Sequence, residues 1–242
     1  FLHLNFTTTP KENLLAIVGS PLATRASSTL LSTSANLTLA QLIALESETA
    51  FSVLPGQSIT LADSAPNLLS LTGPENRPSI TAFTVTVSST TDVNGAATLF
   101  ALSHFSIGTG VTLTVGGTVS AMTDLSLTST LAGFAATPHV VVSVIDSLAN
   151  LMANAAAVAT LAQHVAGLTT AMTDFQILNV AQLTAANALP HFGVAVGGGI
   201  ILSDTITNLI ALSPSLAALA TNTNLSQSGN VSLAQLAALV TL

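Results

Sequence analysis

Cysteine, tryptophan and tyrosine are absent from this 242-residue chain, and lysine and arginine together number 3. Without cysteine there is no disulfide, no thiolate metal site and no cysteine nucleophile, although the compartment is left open. The three basic residues, Lys11, Arg25 and Arg77, precede Pro78, and nothing after them could grip a phosphate backbone. A formal net charge of −7 adds repulsion, so nucleic acid is excluded as a partner and anionic membrane surfaces are disfavoured. The same basic-free span offers nothing to trypsin-type proteases, which fits either a protein exposed outside a cell or compositional drift in a repetitive sequence. No unbroken apolar run reaches the ~18 residues a membrane helix needs, because Ser, Thr, Asn and Gln interrupt every one.

Apolar residues are plentiful by contrast, at 49% against 5% charged, so the ordering entropy is easily offset and disorder is not expected. Neutral polar side chains must then solvate the surface. The chain begins with Phe1 and shows no basic, apolar leader, which reads as a processed or excised piece of a longer polypeptide.

Three stretches read almost alike: Leu37-Thr38-Leu39-Ala40-Gln41-Leu42, Leu178-Asn179-Val180-Ala181-Gln182-Leu183 and Val231-Ser232-Leu233-Ala234-Gln235-Leu236. Each spells a capped helix start. Thr38, Asn179 or Ser232 can accept from the amide three residues on, and Gln41, Gln182 or Gln235 can reach back to the cap's own amide. The apolar residue before each cap is placed to staple onto the leucine four positions after it. A second cassette recurs as Asp63-Ser64-Ala65-Pro66-Asn67-Leu68, Asp146-Ser147-Leu148-Ala149-Asn150-Leu151 and Asp204-Thr205-Ile206-Thr207-Asn208-Leu209. Asp63 follows Gln41 by 22 residues and Asp204 follows Gln182 by 22, and a fixed offset between two different cassettes indicates a duplicated unit.

Strand patterns alternate with helical ones along the chain. Ile80 to Val87 and Val111 to Val115 alternate apolar and polar residues as half-buried strands do, while His139 to Ile145 is β-branched on both faces, as a strand between layers would be. Helices are expected over Ala96–Leu102, Met122–Phe134, Ser147–Val165, Val180–Leu189, Asp204–Leu212 and Ser232–Leu239, with Ser58–Leu61 and Phe192–Leu202 extended. The expected fold class is α/β, an elongated repeat solenoid of short strands alternating with short capped helices. One continuous stack is read in three regions: 1–72, a first repeat region; 73–138, an irregular β-rich middle; and 139–242, a C-terminal repeat region.

Catalytic patterns are scarce. There is no G-x-S-x-G and no G-K-[ST]; Gly108-Thr109-Gly110 and Gly197-Gly198-Gly199 read as tight turns or close backbone contacts. Asp63, Asp146 and Asp204 occupy equivalent positions and are weak candidates for a metal ion such as Ca²⁺, but each lies beside a helix start, where a capping carboxylate is favoured. His139 and His191 each follow a proline and precede an apolar strand; a shared Zn²⁺ is the sharper reading and a strand-entry marker the plainer one. His3, His104 and His164 have no evident partner. Asn67, Asn150 and Asn208 fit either a side-chain ladder or, preferably, capping-box positions three residues after Ser64, Ser147 and Thr205. Sequons at Asn5, Asn36, Asn224 and Asn230 are expected by chance in so Asn/Ser/Thr-rich a chain. No catalytic residue and no cofactor are expected.

The cassettes D-[ST]-x-x-N-L and [ST]-L-A-Q-L-x-A-L, set in an Ala/Thr-rich and Lys-poor background, resemble repetitive cell-surface or secreted proteins of Gram-negative bacteria, adhesin-like and surface-layer-like. The resemblance implies an extracellular or cell-surface location and a non-enzymatic structural role: a self-associating building block of a filament, sheath, surface layer or adhesin stalk. Its expected partners are like chains in a homo-oligomer or polymer, with surface glycans as a further class. An extracellular carbohydrate- or calcium-binding repeat module is the alternative.

Overall fold

The computed structural model describes Leu15, Ala16 and Val18 and residues 28–48, 50–71, 79–228 and 230–240. Lys11, Arg25, Arg77, His3 and the sequon at Asn5 lie outside the described residues. The chain divides into two compact units, 1–114 and 115–242, a boundary that falls within the irregular middle stretch.

In the first unit, β1 (Thr29–Leu31), β2 (Ala35–Leu37), α1 (Leu39–Glu46), β3 (Phe51–Val53), β4 (Ile59–Ser64), α2 (Ala65–Ser70), β5 (Ile80–Val87), β6 (Ser89–Thr91), α3 (Val93–Ala101) and β7 (Phe105–Ile107) follow one another. β1 pairs with β3, and β2, β4, β5 and β7 lie side by side, all parallel. The inward leucines of α1 (Leu39, Leu42, Leu45) join Leu37, Ile59, Leu61, Phe83 and Val85 in one core. Burying each such side chain contributes roughly 1.5–3 kcal/mol, more than any exposed ion pair, so a nearly uncharged chain loses little cohesion by it.

The second unit continues with β8 (Leu113–Gly117), which begins at the boundary, α4 (Val119–Met122), a 3₁₀ turn, α5 (Thr128–Ala135), β9 (Val140–Asp146), α6 (Leu148–Ala153) and α7 (Ala155–His164). Then come β10 (Thr169–Met172), β11 (Phe175–Leu178), α8 (Val180–Ala186), β12 (Phe192–Val194), β13 (Gly199–Asp204), α9 (Ile206–Ile210), α10 (Pro214–Ala217), β14 (Asn222–Leu225) and α11 (Leu233–Val240). β8, β9, β10 and β12 share one sheet, and β11, β13 and β14 another, in that order. The fold is thus mixed α/β, with several parallel sheets, alternating strands and helices, and no closed barrel among the described residues.

The registers keep a narrow spacing. Ile201 faces Asn222, 21 residues on, and Ser143 faces Thr169, 26 on. β5 occupies the expected residues, but its burial departs from strict alternation near its start. Ile59 faces Ile80 while Thr60 faces Ala82, so Thr81 is an extra residue that shifts the inward positions to Phe83 and Val85. The long helices expected over Met122–Phe134 and Ser147–Val165 are each interrupted. Asn154 ends α6 out of helical geometry at φ −115°, ψ 21°, and α7 starts anew behind it. Phe192–Leu202 is likewise two strands hinged at Gly197, whose φ of 91° suits glycine. A Cβ on Gly198 would stand 2.9 Å from the Met172 carbonyl oxygen.

Among the described residues, four without glycine's freedom also adopt positive φ: Ala50 (46°), His104 (50°), His139 (65°) and His191 (42°). Each immediately precedes a strand, namely β3, β7, β9 and β12. They form the left-handed corner where the chain leaves a helix or turn, a conformation that histidine tolerates better than most residues.

Candidate functional site

Helix starts leave amide groups unsatisfied, and this chain satisfies them in two ways. The first is local. At α1, Thr38 Oγ1 accepts from Gln41 N at 3.2 Å and Thr38 N donates to Gln41 Oε1 at 3.0 Å. At α8, Asn179 Oδ1 accepts from Gln182 N at 2.8 Å and Asn179 N donates to Gln182 Oε1 at 2.9 Å. At α11, Ser232 and Gln235 make the same reciprocal pair at 3.2 and 2.9 Å.

The second links residues far apart in sequence and centres on Asp63, Asp146 and Asp204. The capping residues of α2, α6 and α9 are Ser64, Ser147 and Thr205; the aspartate stands one place earlier, at a strand's end. Asp63 Oδ1 accepts from Ser64 N (2.7 Å) and Asn67 Nδ2 (2.7 Å), and its Oδ2 accepts from Leu39 N (2.9 Å), the first amide of α1, 24 residues back. Asp146 repeats the set with Ser147 N (2.8 Å), Asn150 Nδ2 (2.9 Å) and Val119 N of α4 (3.0 Å). Asp204 does so with Thr205 N (2.7 Å), Asn208 Nδ2 (2.8 Å) and Val180 N of α8 (2.9 Å). Each carboxylate therefore closes two helix N-termini, its own and the one 24 or 27 residues earlier.

Asn67, Asn150 and Asn208 donate their side-chain amides to these aspartates. Their backbone amides take the Ser64, Ser147 and Thr205 hydroxyls, at 3.4, 3.3 and 3.4 Å. The expected capping role is thus divided: the hydroxyl caps, and the Asn side chain steadies the carboxylate that would otherwise lack its third donor. Two further members of this pattern escaped the sequence reading. Asp174 Oδ1 accepts from Leu148 N (2.9 Å) with Gln176 on its other oxygen (2.6 Å), and Ser89 Oγ accepts from Ala65 N (3.2 Å). The spacing was the available signal, since Asp63 and Ser89 each stand 24 residues beyond the amide they receive.

Electrostatics follow from these donors. Burial pushes the Asp63 carboxyl up, but the bonds from Asn67, Leu39 and Ser64 outweigh it and hold the group below its ordinary value. Asp146 behaves alike, with Asn150, Val119 and Ser147 outweighing burial. At Asp204 the Val180 amide contributes most, then Asn208 and Thr205, and the pKa is again lowered. A carboxylate held ionised by three N–H donors is a poor general acid, and its oxygens are already engaged.

A cation at these positions would compete with those donors, and among the described residues no group of three or more His, Asp or Glu side chains comes together as a metal site. His139 and His191 stand apart. Thr170 faces both Val144 and Phe192, so His191 is level with Ser143, one strand beyond β10, and His139 lies four positions earlier. Four strand positions span about 13 Å and two strand spacings nearly 10 Å, too far for one zinc ion. Both are exposed corner residues. His104 holds the same corner before β7, with its Nδ1 3.1 Å from the Thr81 carbonyl oxygen.

Shallow clefts occur in the second unit. One of about 250 Å³ is lined by Thr123, Thr128, Ala157, Thr160, Leu161 and His164. Another, of about 280 Å³, lies between α6 and α8 beside β11, with Gln176 and Gln182 as its polar groups. Neither is lined by paired carboxylates. No helix among the described residues is long and apolar enough to cross a membrane. No family model, no curated protein and no solved structure matches this chain.

Proposed function

We propose that this chain is a non-enzymatic structural protein, a building block that associates with its own kind at a cell surface or outside the cell. In this reading its parallel ladders belong to a solenoid in which each turn of 21–27 residues caps and covers the one before. The observation that carries it is the recurrent carboxylate bridge: Asp63, Asp146 and Asp204 each spend two close hydrogen bonds within their own turn and one on the helix start of the turn before. A module whose repeated polar groups all serve cohesion fits a scaffold better than a reaction centre. The near absence of lysine also leaves exposed strand edges unguarded against pairing with further chains.

Light scattering and negative-stain imaging of the purified chain test the reading. Defined oligomers or regular arrays are the expected result. A monodisperse monomer at every concentration overturns it.

A further inference from the structure

β11 is the first strand of its sheet, and the chain itself leaves the place beside it empty. β9 ends at Asp146, opposite Met172, and the chain enters α6 after Ser147. The next segment instead runs on past β10 and adds the four residues of β11 before its own helix begins. Ser143 faces Thr169 at a spacing of 26, and at that spacing the neighbours of Phe175 and Leu178 would be Ala149 and Met152, which lie in α6. Residues 139–204 are described without a break, so this open edge lies inside the chain and owes nothing to either end of it.

The backbone at the edge is unpaired. Gly199 N donates to the Asp174 carbonyl at 3.2 Å, which sets the alternation of the parallel ladder. Gln176 and Leu178 turn their backbone groups toward β13, and Phe175 and Ile177 turn theirs to the open side. Among the described residues those two N–H and two C=O groups have no partner. Phe175 and Ile177 are 60% and 67% exposed, and β11 carries no lysine, proline or charge to discourage pairing. The cleft of about 280 Å³ opens at the same place, lined by Leu148, Ala149 and Met152 of α6, Leu178 of β11 and Ala185 of α8.

We propose that an extended segment of another polypeptide, with alternating apolar side chains and no acidic residue, adds to β11 as a further strand. An extended chain is the partner that presents donors and acceptors at the repeat of a strand edge. Every second side chain of the segment enters the cleft beside Leu178, and the others lie along Phe175 and Ile177. Charge sets the remaining condition. Residues 115–242 carry Asp124, Asp146, Asp174 and Asp204 with no lysine or arginine, and Asp174 directly precedes β11, so an acidic segment is repelled. This binding role goes beyond the structural one proposed above and does not depend on it.

The probe is dansyl-Gly-Ile-Ile-Leu-Ser-amide, which copies residues 199–203 of β13, the strand that fits β11 from its other side. Fluorescence anisotropy is expected to saturate with a Kd below about 100 μM, and the bound peptide should slow amide exchange at Phe175 and Ile177. Ile177→Pro removes an outward donor and none of the bonds to β13, so it should keep the parent's melting temperature and weaken binding at least about tenfold. Ala185→Trp, on the exposed side of α8, fills the cleft and should weaken binding as much without touching β11. The same peptide with proline at its third position should not bind. Absence of binding at about 1 mM peptide, binding that survives these substitutions, or protection that appears elsewhere overturns the site. A dimer of the parent chain that Ile177→Pro dissolves assigns the edge to a second copy and overturns it as well. Failure of the peptide to bind leaves the structural reading standing, because oligomers are read separately by light scattering.

Discussion

Replacing Asp63 by alanine should loosen a helix that starts 24 residues before it. The side chain is 9% exposed and receives Leu39 N–H, Ser64 N–H and the Asn67 amide. Losing a capping acceptor costs about 1 kcal/mol per helix start, with a range of about 0.5–2. Two starts are affected, α1 and α2, and the Asn67 amide loses a charge-assisted bond as well, so Asp63→Ala should destabilise by about 2–4 kcal/mol. For a chain of this size each kcal/mol lowers the melting temperature by roughly 2–4 °C, which puts the expected drop at about 4–16 °C. The assay has two parts. Thermal melts of Asp63→Ala, Asn67→Ala and the double variant form a cycle in which the double variant should match Asp63→Ala to within about 0.5 kcal/mol, because the Asn67 side chain acts through the carboxylate. Amide hydrogen exchange should show protection at Leu39 falling in Asp63→Ala while Gln41, held by Thr38, keeps its own. If Leu39 protection is unchanged, or the two substitutions add, the aspartate is an ordinary cap of α2 and the bridge carries no energy.

Acid should act through the same groups. Asp63, Asp146 and Asp204 all have folded pKa values below the usual ~3.9, so their contribution is complete above about pH 5 and is lost as pH falls through the folded values. Melting temperature should hold between pH 7 and 5 and fall below about pH 4, and the triple Asp→Asn variant should lack that fall; a parent curve that is flat down to pH 2 contradicts the assignment. Glycine substitutions should separate by surroundings. Gly198→Ala sets a Cβ 2.9 Å from the Met172 carbonyl and 3.2 Å from that of Asp174, neither free to move, and should destabilise by about 1–3 kcal/mol. Gly133→Ala, in α5 with nothing within 4 Å, should stabilise by up to about 1 kcal/mol, and chemical denaturation of the pair reads the opposite signs.

Short-range grammar was the legible part of this protein. The three Gln boxes could be read because a hydroxyl or amide and a Gln three residues apart satisfy each other whatever surrounds them. β9 could be read because few elements other than an inner strand need valine on both faces. Boundaries inside apolar runs were less visible. Nothing in the alanine-rich run from Ala149 announces the break at Asn154, and Thr81 gives no sign of being the extra residue that shifts the β5 register. The bridges were half legible. The offset between Gln41 and Asp63 revealed a duplicated unit, but the acceptor's destination, an amide with no side-chain identity, leaves no mark in a sequence. Asp174 lacked a matching cassette and passed unnoticed although it does the same work.

The direction of these long-range bonds has a bearing on how the chain is made. In every bridge the carboxylate lies downstream of the amide it receives, so a helix is finished by residues that leave the ribosome, or cross a membrane, about two dozen positions later. Strand partners are spaced in the same way, roughly a tenth of the chain length apart, which is a low contact order for a parallel β protein. Such a polypeptide can acquire its structure progressively from the amino-terminal side, each emerging segment sealing the one ahead of it, without waiting for its last residue.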